Sequence, residues 1–171
     1  MRFLRTSIAL VIVSLAACTA YYNTFFNAKK YFDEANQTAL GTNGKPTSQA
    51  IQKYNECIKR CGVVLSDYPK SKYNDDALFL LGKAFFYKQM NYYQAIEKFD
   101  DLKTFYPESE FIPEAEFYRA DSYYLLNQKN EAYRILQDFM LKQGYSSYFS
   151  RSLYKLADFS LPFAFFPFVQ F

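Results

Sequence analysis

The sequence predicts an all-α fold, a solenoid of about three helix hairpins followed by a partial fourth. Residues that break helices are scarce, with 5 glycines and 6 prolines among 171 residues, whereas tyrosine and phenylalanine occur 17 and 19 times. This composition favours helices packed by large rings over a loop-rich β fold. One stretch also recurs, as YPKSKYNDDALFLLGKAFFY at 68–87 and YPESEFIPEAEFYRADSYYL at 106–125, with matching positions 38 residues apart. A fixed period of this length indicates stacked helical units.

The N-terminus has the layout of a secretory signal peptide. Arg2 and Arg5 supply positive charge, residues 8–15 are mostly apolar, and two alanines precede Cys18. The apolar stretch is too short to cross a membrane as a helix, which takes about 20 residues. We therefore predict that residues 1–17 form a signal peptide. The alternative, a buried cysteine that ends a core helix, accounts less well for the arginines and the alanines.

The residues LAAC at 15–18 resemble the lipobox of bacterial lipoproteins. This resemblance implies that the Cys18 thiol carries a covalent lipid and that the chain is cut just before Cys18. Further acyl chains, such as palmitate, would complete a stable anchor, since one chain alone binds a membrane only weakly. Thr19 follows the cysteine in place of an aspartate, which by the same resemblance implies sorting to the outer membrane. No cofactor is expected beyond this lipid.

Each recurring unit is predicted to contain two helices. In the first of the two matching units, Asn74 and Asp75 are suited to cap a helix, and Asn91 starts a second helix that ends before Pro107. Apolar and small residues follow at helical spacing: Leu78, Leu81, Gly82, Phe85, then Ala95, Phe99 and Leu102. The next unit repeats the plan with Ala120, Tyr123, Ala132, Leu136 and Phe139. The small residues Gly82, Ala95, Ala120 and Ala132 are predicted where two helices approach closely.

This order of large, small and aromatic residues resembles the tetratricopeptide repeat. The second unit departs from it at Arg119, where a leucine is usual, and at Gly144, where a proline is usual. An earlier unit begins with TFFNAKKYFDEA, whose central alanine falls at the small-residue place, and continues in a longer helix over about 49–66. Cys57 and Cys61 lie in that helix and are interpreted as small core residues.

The C-terminal end of the chain is less regular. Ala157 falls at the small-residue place of a fourth unit, so the repeat domain is predicted to span residues 18–160. Residues 161–171, LPFAFFPFVQF, contain two prolines where a partner helix is expected. Two interpretations stay open: this aromatic tail is a truncated or altered end, or it docks on the array or on a membrane.

Composition disfavours several classes of function. The chain has no histidine, which removes histidine-based catalytic and metal sites. Without residues 1–17 the balance is 18 basic against 17 acidic residues, so no nucleic-acid partner is expected. The acidic pairs Asp75/Asp76 and Asp100/Asp101 are better explained by helix-dipole or solvated roles than by catalysis. We expect a protein that is not an enzyme and holds no metal.

The first helix of each unit lines the concave surface of such a solenoid, and the residues on its free side are candidate contacts for a partner. By the repeat register these are Asp76, Phe79, Lys83, Phe86, Tyr87, Glu114, Phe117, Asp121 and Tyr124. Rings supply contact area and charges fix orientation, which suits an extended or helical peptide. Phe79 and Phe117 are equally compatible with packing between units, whereas Tyr87 and Tyr124 are expected to turn a hydroxyl to water.

A lipobox followed by repeats that open with YPxSxY resembles the BamD-like group of outer-membrane lipoproteins. The repeat style is also similar to the C-terminal domain of the periplasmic Tol-Pal-associated family. The first resemblance implies a scaffold on the periplasmic face of the outer membrane that binds barrel-assembly subunits or unfolded outer-membrane proteins. The second implies the alternative of a Tol-Pal-type scaffold for the cell envelope or division.

Overall fold

The computed structural model describes residues 22–38 and 40–143, which form six α-helices and no strand. The helices are α1 over 22–37, α2 Ser48–Asp67, α3 Asn74–Tyr87, α4 Tyr92–Phe105, α5 Ile112–Leu125 and α6 Lys129–Gln143. Three hairpins in a row result, α1/α2, α3/α4 and α5/α6, which confirms the predicted all-α fold. The predictions for residues 1–17, Cys18, the fourth unit and the tail at 161–171 fall outside the described residues.

The recurring YPxSxY motif forms the turn that leads into α3 and into α5. The Ser71 hydroxyl accepts a hydrogen bond from the Tyr73 amide at 3.1 Å, and the Ser109 hydroxyl accepts one from the Phe111 amide at 3.4 Å. Serine bonding to the backbone two residues ahead is a common way to hold a turn. One local prediction needs correction, because Asn74 is the first residue of α3 rather than its cap, and its side-chain amide donates to the Pro69 carbonyl at 2.9 Å.

Small residues let the helices of a hairpin pack tightly, as predicted. Ala95, Ala120 and Ala132 have no exposed surface. At Gly82 the close approach is most severe, because a Cβ atom there would lie 2.6 Å from Cε1 of the Phe99 ring. The ring itself is only 1% exposed, so α3 and α4 meet with no room for a side chain at position 82.

Helix α3 occupies the centre of the described array. Leu78 and Phe79 belong to the apolar core shared with α4, α5 and α6, whereas Ala77, Leu80 and Leu81 belong to the core shared with α1 and α2. The second core also contains Cys57 and Cys61, which are fully buried and not disulfide-bonded. Both cysteines therefore act as small apolar residues, in agreement with the sequence interpretation.

The contacts between helices show how successive hairpins stack. Helix α3 packs against α2, α4 and α5, whereas the backbone of α4 comes close to neither α2 nor α6 within the described residues. The first helices of successive units thus pack side by side while the second helices splay apart. Helices α1, α3 and α5, the first helices of the three hairpins, form the face that we call the inner surface. Among the helices of residues 22–38 and 40–143, none combines the length and the apolar character needed to cross a bilayer.

Candidate functional site

A groove of about 200 Å³ runs along the inner surface between α1 and α3. Helix α1 contributes residues at i, i+4, i+7 and i+8, and α3 contributes residues at i, i+3, i+4 and i+7, which is the spacing of one helix face. The lining residues are Phe25, Lys29, Phe32, Asp33, Asp76, Phe79, Leu80, Lys83 and Phe111.

The floor of this groove is apolar. Phe25, Phe32, Phe79 and Leu80 are each between 6% and 8% exposed, so their side chains form the bottom rather than the rim. Phe111, which immediately precedes α5, stacks on Phe79 with ring centroids 4.8 Å apart and planes 13° apart. Stacked rings of this kind give a stiff surface that loses little entropy when a ligand covers it.

Lys83 is held firmly at the middle of the groove. Its ammonium Nζ lies 3.0 Å from the Glu114 carboxylate, so a charge from α3 is paired with a charge from α5. The same ammonium lies 5.6, 5.1 and 5.4 Å from the ring centroids of Phe32, Phe79 and Tyr118. Cations at this distance are attracted to aromatic faces. Lys83 therefore joins three first helices to one another, and its charge is already satisfied.

The other charges of the groove are not satisfied in this way. Lys29, Asp33 and Asp76 form no ion pair with any residue that the structure describes. The pKa of Asp76 is raised, first by partial burial and then by the neighbouring carboxylates of Asp75 and Glu110, against which Lys29 acts. Asp75 is anchored elsewhere, because its carboxylate accepts a hydrogen bond from the Ser109 hydroxyl at 2.8 Å.

An aromatic cluster continues the inner surface towards the hairpin turns. The Phe86 ring lies 5.0 Å from Tyr118 and 5.8 Å from Tyr92, and the Tyr87 ring lies 5.8 Å from Phe32. The hydroxyls of Tyr87 and Tyr118 share a hydrogen bond of 2.7 Å. Tyr87 is half-buried and its hydroxyl is bonded to Tyr118, and the expectation that this hydroxyl also faces water stays a prediction.

Six of the nine predicted contact residues fall into two sets. Asp76, Phe79 and Lys83 line the groove, and Glu114 joins them through Lys83. Phe86 and Tyr87 lie in the adjoining cluster. Phe79 packs against Phe111 from the floor of the groove, and its contact with a partner stays a prediction.

The remaining three predicted residues, all on α5, do not line the groove between α1 and α3. Phe117 is 4% exposed and Asp121 is 9% exposed, so neither projects freely from the inner surface. Asp121 contributes to the raised pKa of Tyr92, after burial of that phenol. The Tyr124 ring lies 5.7 Å below the Lys129 ammonium. Partner binding by these residues stays a prediction.

The sequence prediction missed the contribution of α1. Aligning Ala28 with Gly82 places Phe25, Lys29 and Phe32 at the positions of Phe79, Lys83 and Phe86. The register of the repeat therefore contained the signal, and it was applied only to the two later units. Phe111 carried no such signal, because its contact with Phe79 joins two different units.

A second hollow, of about 340 Å³, lies between α4, α5 and α6. Its wall explains the unusual Arg119. By the 38-residue period, Glu116 and Arg119 stand where the preceding unit has Leu78 and Leu81. Arg119 binds the Asp100 carboxylate at 2.5 Å and that of Glu116 at 3.3 Å, and the Lys103 ammonium lies 2.6 Å from Glu116.

This ion-pair cluster replaces a leucine contact with charges that compensate one another. Glu116 and Arg119 have side chains only 11% and 12% exposed, whereas Asp100 and Lys103 pair with them from the half-exposed rim. Its residues are all engaged in holding α4 against α5. Within residues 22–38 and 40–143, no group of three or more potential metal-ligating side chains is found.

Comparison with known proteins agrees with this architecture. The sequence model of the tetratricopeptide repeat matches residues 76–109, which cover most of α3 and α4, and residues 114–143, which cover α5 and α6. A search of curated proteins found no match. Hairpin α1/α2 lies outside the matched residues, yet it packs on α3 as the matched units pack on each other. The chain is thus an all-α helical-repeat solenoid with two units similar to the tetratricopeptide repeat.

Proposed function

We propose that this chain is a lipid-anchored scaffold in the bacterial periplasm that binds a protein partner and contributes to the assembly of outer-membrane β-barrels. The observation that carries the proposal is the groove between α1 and α3, with a rigid aromatic floor and three charged side chains that have no ion-pair partner among the described residues. Tetratricopeptide repeats generally mediate protein–protein interactions, and the fold is typically a non-catalytic scaffold. A groove of this shape suits one segment of a partner chain.

The assignment to barrel assembly rests on the resemblance to BamD-like lipoproteins. The groove is tested in cells by placing a photoreactive amino acid at position 29, with the same substitution at position 30 as the control. Both lysines are exposed neighbours on α1, but only Lys29 lines the groove. Barrel-assembly subunits or unfolded barrel proteins crosslinked from position 29, and not from position 30, are the expected result.

Two other results would change the proposal. Capture of Tol-Pal or peptidoglycan-associated proteins from position 29 would favour the alternative, a scaffold of the cell envelope or division. Equal capture from both positions would show that the groove is not the contact surface.

The lipid anchor at Cys18 needs its own experiment. We expect radiolabelled palmitate to be incorporated into the wild-type protein and not into the Cys18→Ser variant, because a hydroxyl cannot form the thioether of a lipoprotein. The variant is also expected to leave the outer-membrane fraction. Labelling of Cys18→Ser, or an unlabelled wild type, would contradict the anchor.

A further inference from the structure

The charges around the groove define what a bound segment must offer. The Lys83 ammonium already pairs with the Glu114 carboxylate and lies near aromatic rings, so it needs no anion from a bound segment. Asp33 and Asp76 face the groove from opposite sides and lack ion pairs within the described residues. Counting only ion pairs among the described residues, the groove presents two unpaired carboxylates, those of Asp33 and Asp76, against one unpaired ammonium, that of Lys29.

The excess negative charge is concentrated at Asp76. Asp75 and Glu110 both lie near enough to raise the pKa of Asp76, in addition to its partial burial. Lys29 is the cation that opposes this effect, and its ammonium lies 6.0 Å from the centroid of the Phe25 ring rather than in an ion pair. A carboxylate with like charges beside it and no direct cation gains most from a cation on a ligand.

An apolar patch lies directly beside this carboxylate. Phe79 and Leu80 follow Asp76 by three and four residues on α3, so they occupy the next turn of the same face. Phe25 lies across the groove on α1. A ligand side chain resting on these three residues would bring its neighbours in sequence close to Asp76.

We propose that the groove selects a peptide segment in which an aromatic or large aliphatic side chain is flanked by lysine or arginine. The apolar side chain packs on Phe25, Phe79 and Leu80, and the basic side chain pairs with the Asp76 carboxylate. Asp33 supplies a second acceptor further along the groove. Acidic segments are rejected, because the lysine in mid-groove is already neutralised by Glu114. This inference rests on the proposed function, namely that the groove binds a partner chain.

The probe is a library of random 12-residue peptides displayed on phage and selected on the purified protein. We expect selected peptides to pair an aromatic or large aliphatic residue with lysine or arginine within a few positions. A selected peptide is then synthesised, and its affinity is measured for the wild type, Asp76→Asn and Asp67→Asn. Asp67 is exposed at the end of α2 and does not line the groove, so its variant is the matched control.

Removing one charge-assisted contact is expected to weaken binding about tenfold for Asp76→Asn and not for Asp67→Asn. Reversing the charge gives a stricter test, since Asp76→Lys should bind a peptide with glutamate in place of the basic residue better than the wild type does. Circular dichroism verifies that each variant is folded. The reversal keeps the inference falsifiable, because a damaged groove would bind neither peptide.

The outcomes separate this inference from the function on which it rests. A photoreactive residue at position 29, with position 30 as its control, shows whether the selected peptide lies in the groove. Peptides that crosslink from position 29 but are acidic or uncharged would overturn the basic-segment inference and leave groove binding intact. Failure to select any peptide, or equal crosslinking from both positions, would overturn both.

Discussion

Two helical glycines provide a direct test of how closely the two helices of a repeat unit must pack. At Gly82 a Cβ atom would lie 2.6, 2.9 and 2.9 Å from three atoms of the buried Phe99 ring. At Gly62 in α2, a Cβ would meet nothing within 4 Å. Replacing either glycine by alanine removes the same conformational cost of glycine, so the two variants differ only in the space available.

The magnitudes follow from this difference. Alanine in place of glycine in a helix interior contributes about 1 kcal/mol. Overpacking a well-filled core costs about 1–3 kcal/mol. We therefore expect Gly62→Ala to raise the free energy of unfolding by about 1 kcal/mol. Gly82→Ala should change it by between about zero and −2 kcal/mol, the sum of the two effects. The gap between the variants, about 1–3 kcal/mol, isolates the clash with Phe99.

The assay is urea denaturation of the full chain followed by circular dichroism, with both variants measured beside the wild type. The slope with urea should be unchanged, since neither substitution alters how much surface unfolding exposes. Equal stability of Gly82→Ala and Gly62→Ala would refute the reasoning, because it would mean that α3 and α4 separate at no cost. Stabilisation by Gly82→Ala beyond that of Gly62→Ala would refute it more strongly.

Three further predictions use the same denaturation measurement. Burial raises the pKa of Tyr54 from 10.0 to about 12, so the unfolded chain loses the phenol proton at a lower pH than the folded chain does. The stability of the wild type should therefore fall as pH rises from 10 to 12, and the stability of Tyr54→Phe should fall less. Equal pH profiles for the two proteins would contradict the prediction. Arg119→Leu alone should lower the free energy of unfolding by on the order of 3 kcal/mol, because Glu116 loses one of its compensating cations. The double variant Glu116→Leu/Arg119→Leu should recover most of that stability. A double variant no more stable than Arg119→Leu would contradict this prediction. The pKa of Asp76 is raised by burial and by Asp75, so the charge of Asp76 destabilises the fold near neutral pH. Asp76→Asn should therefore raise the free energy of unfolding at pH 7, by less than about 1 kcal/mol. A urea midpoint below that of the wild type would refute this prediction.

The pH prediction follows from the direction of the Tyr54 shift. A phenol that titrates higher in the folded state than in the unfolded state favours folding while it stays protonated. Its contribution is complete below pH 10 and is lost as pH rises through about 12. The Tyr54 hydroxyl donates to the Asn36 side chain at 2.7 Å, which is the contact that phenylalanine would also remove.

The prediction for Asp76 has a consequence for function. A carboxylate that destabilises the folded protein and lacks an ion pair lowers the stability of the unbound protein, and a cationic ligand would offset this loss. If Asp76→Asn both stabilises the chain and weakens binding of a basic peptide, the residue is retained for recognition. A variant that stabilises without any effect on binding would leave Asp76 without a role in the groove.

Local patterns in the sequence were sufficient for the helices and for their pairing. The period of 38 residues, the helical spacing of Leu78, Leu81 and Phe85, and the small residues at Gly82 and Ala95 all report on neighbours within one unit or the next. Such contacts recur at fixed separations along the chain, so a repeat displays them directly. The same locality explains why the buried, unpaired state of Cys57 and Cys61 was predictable from their place in the register.

The groove was only partly predictable, because its parts belong to three different units. Lys83 was placed on the inner surface by the register, but its partner Glu114 and the ring of Phe32 come from α5 and α1. The stacking of Phe111 on Phe79 and the bond between Tyr87 and Tyr118 likewise cross unit boundaries. Pairings of this kind depend on the angle at which units stack, which no spacing within a unit reports.

The sequence by itself determined that this chain is a row of helix hairpins with a curved inner surface, because helix periodicity and repeat period are both properties of local order. Only the tertiary structure decided which charges on that surface are satisfied. The register places both Lys83 and Asp76 on the inner surface, yet Lys83 pairs with Glu114 whereas Asp76 lies near the like charges of Asp75 and Glu110. That difference depends on contacts between units, and the proposed preference of the groove for a cation rests on it.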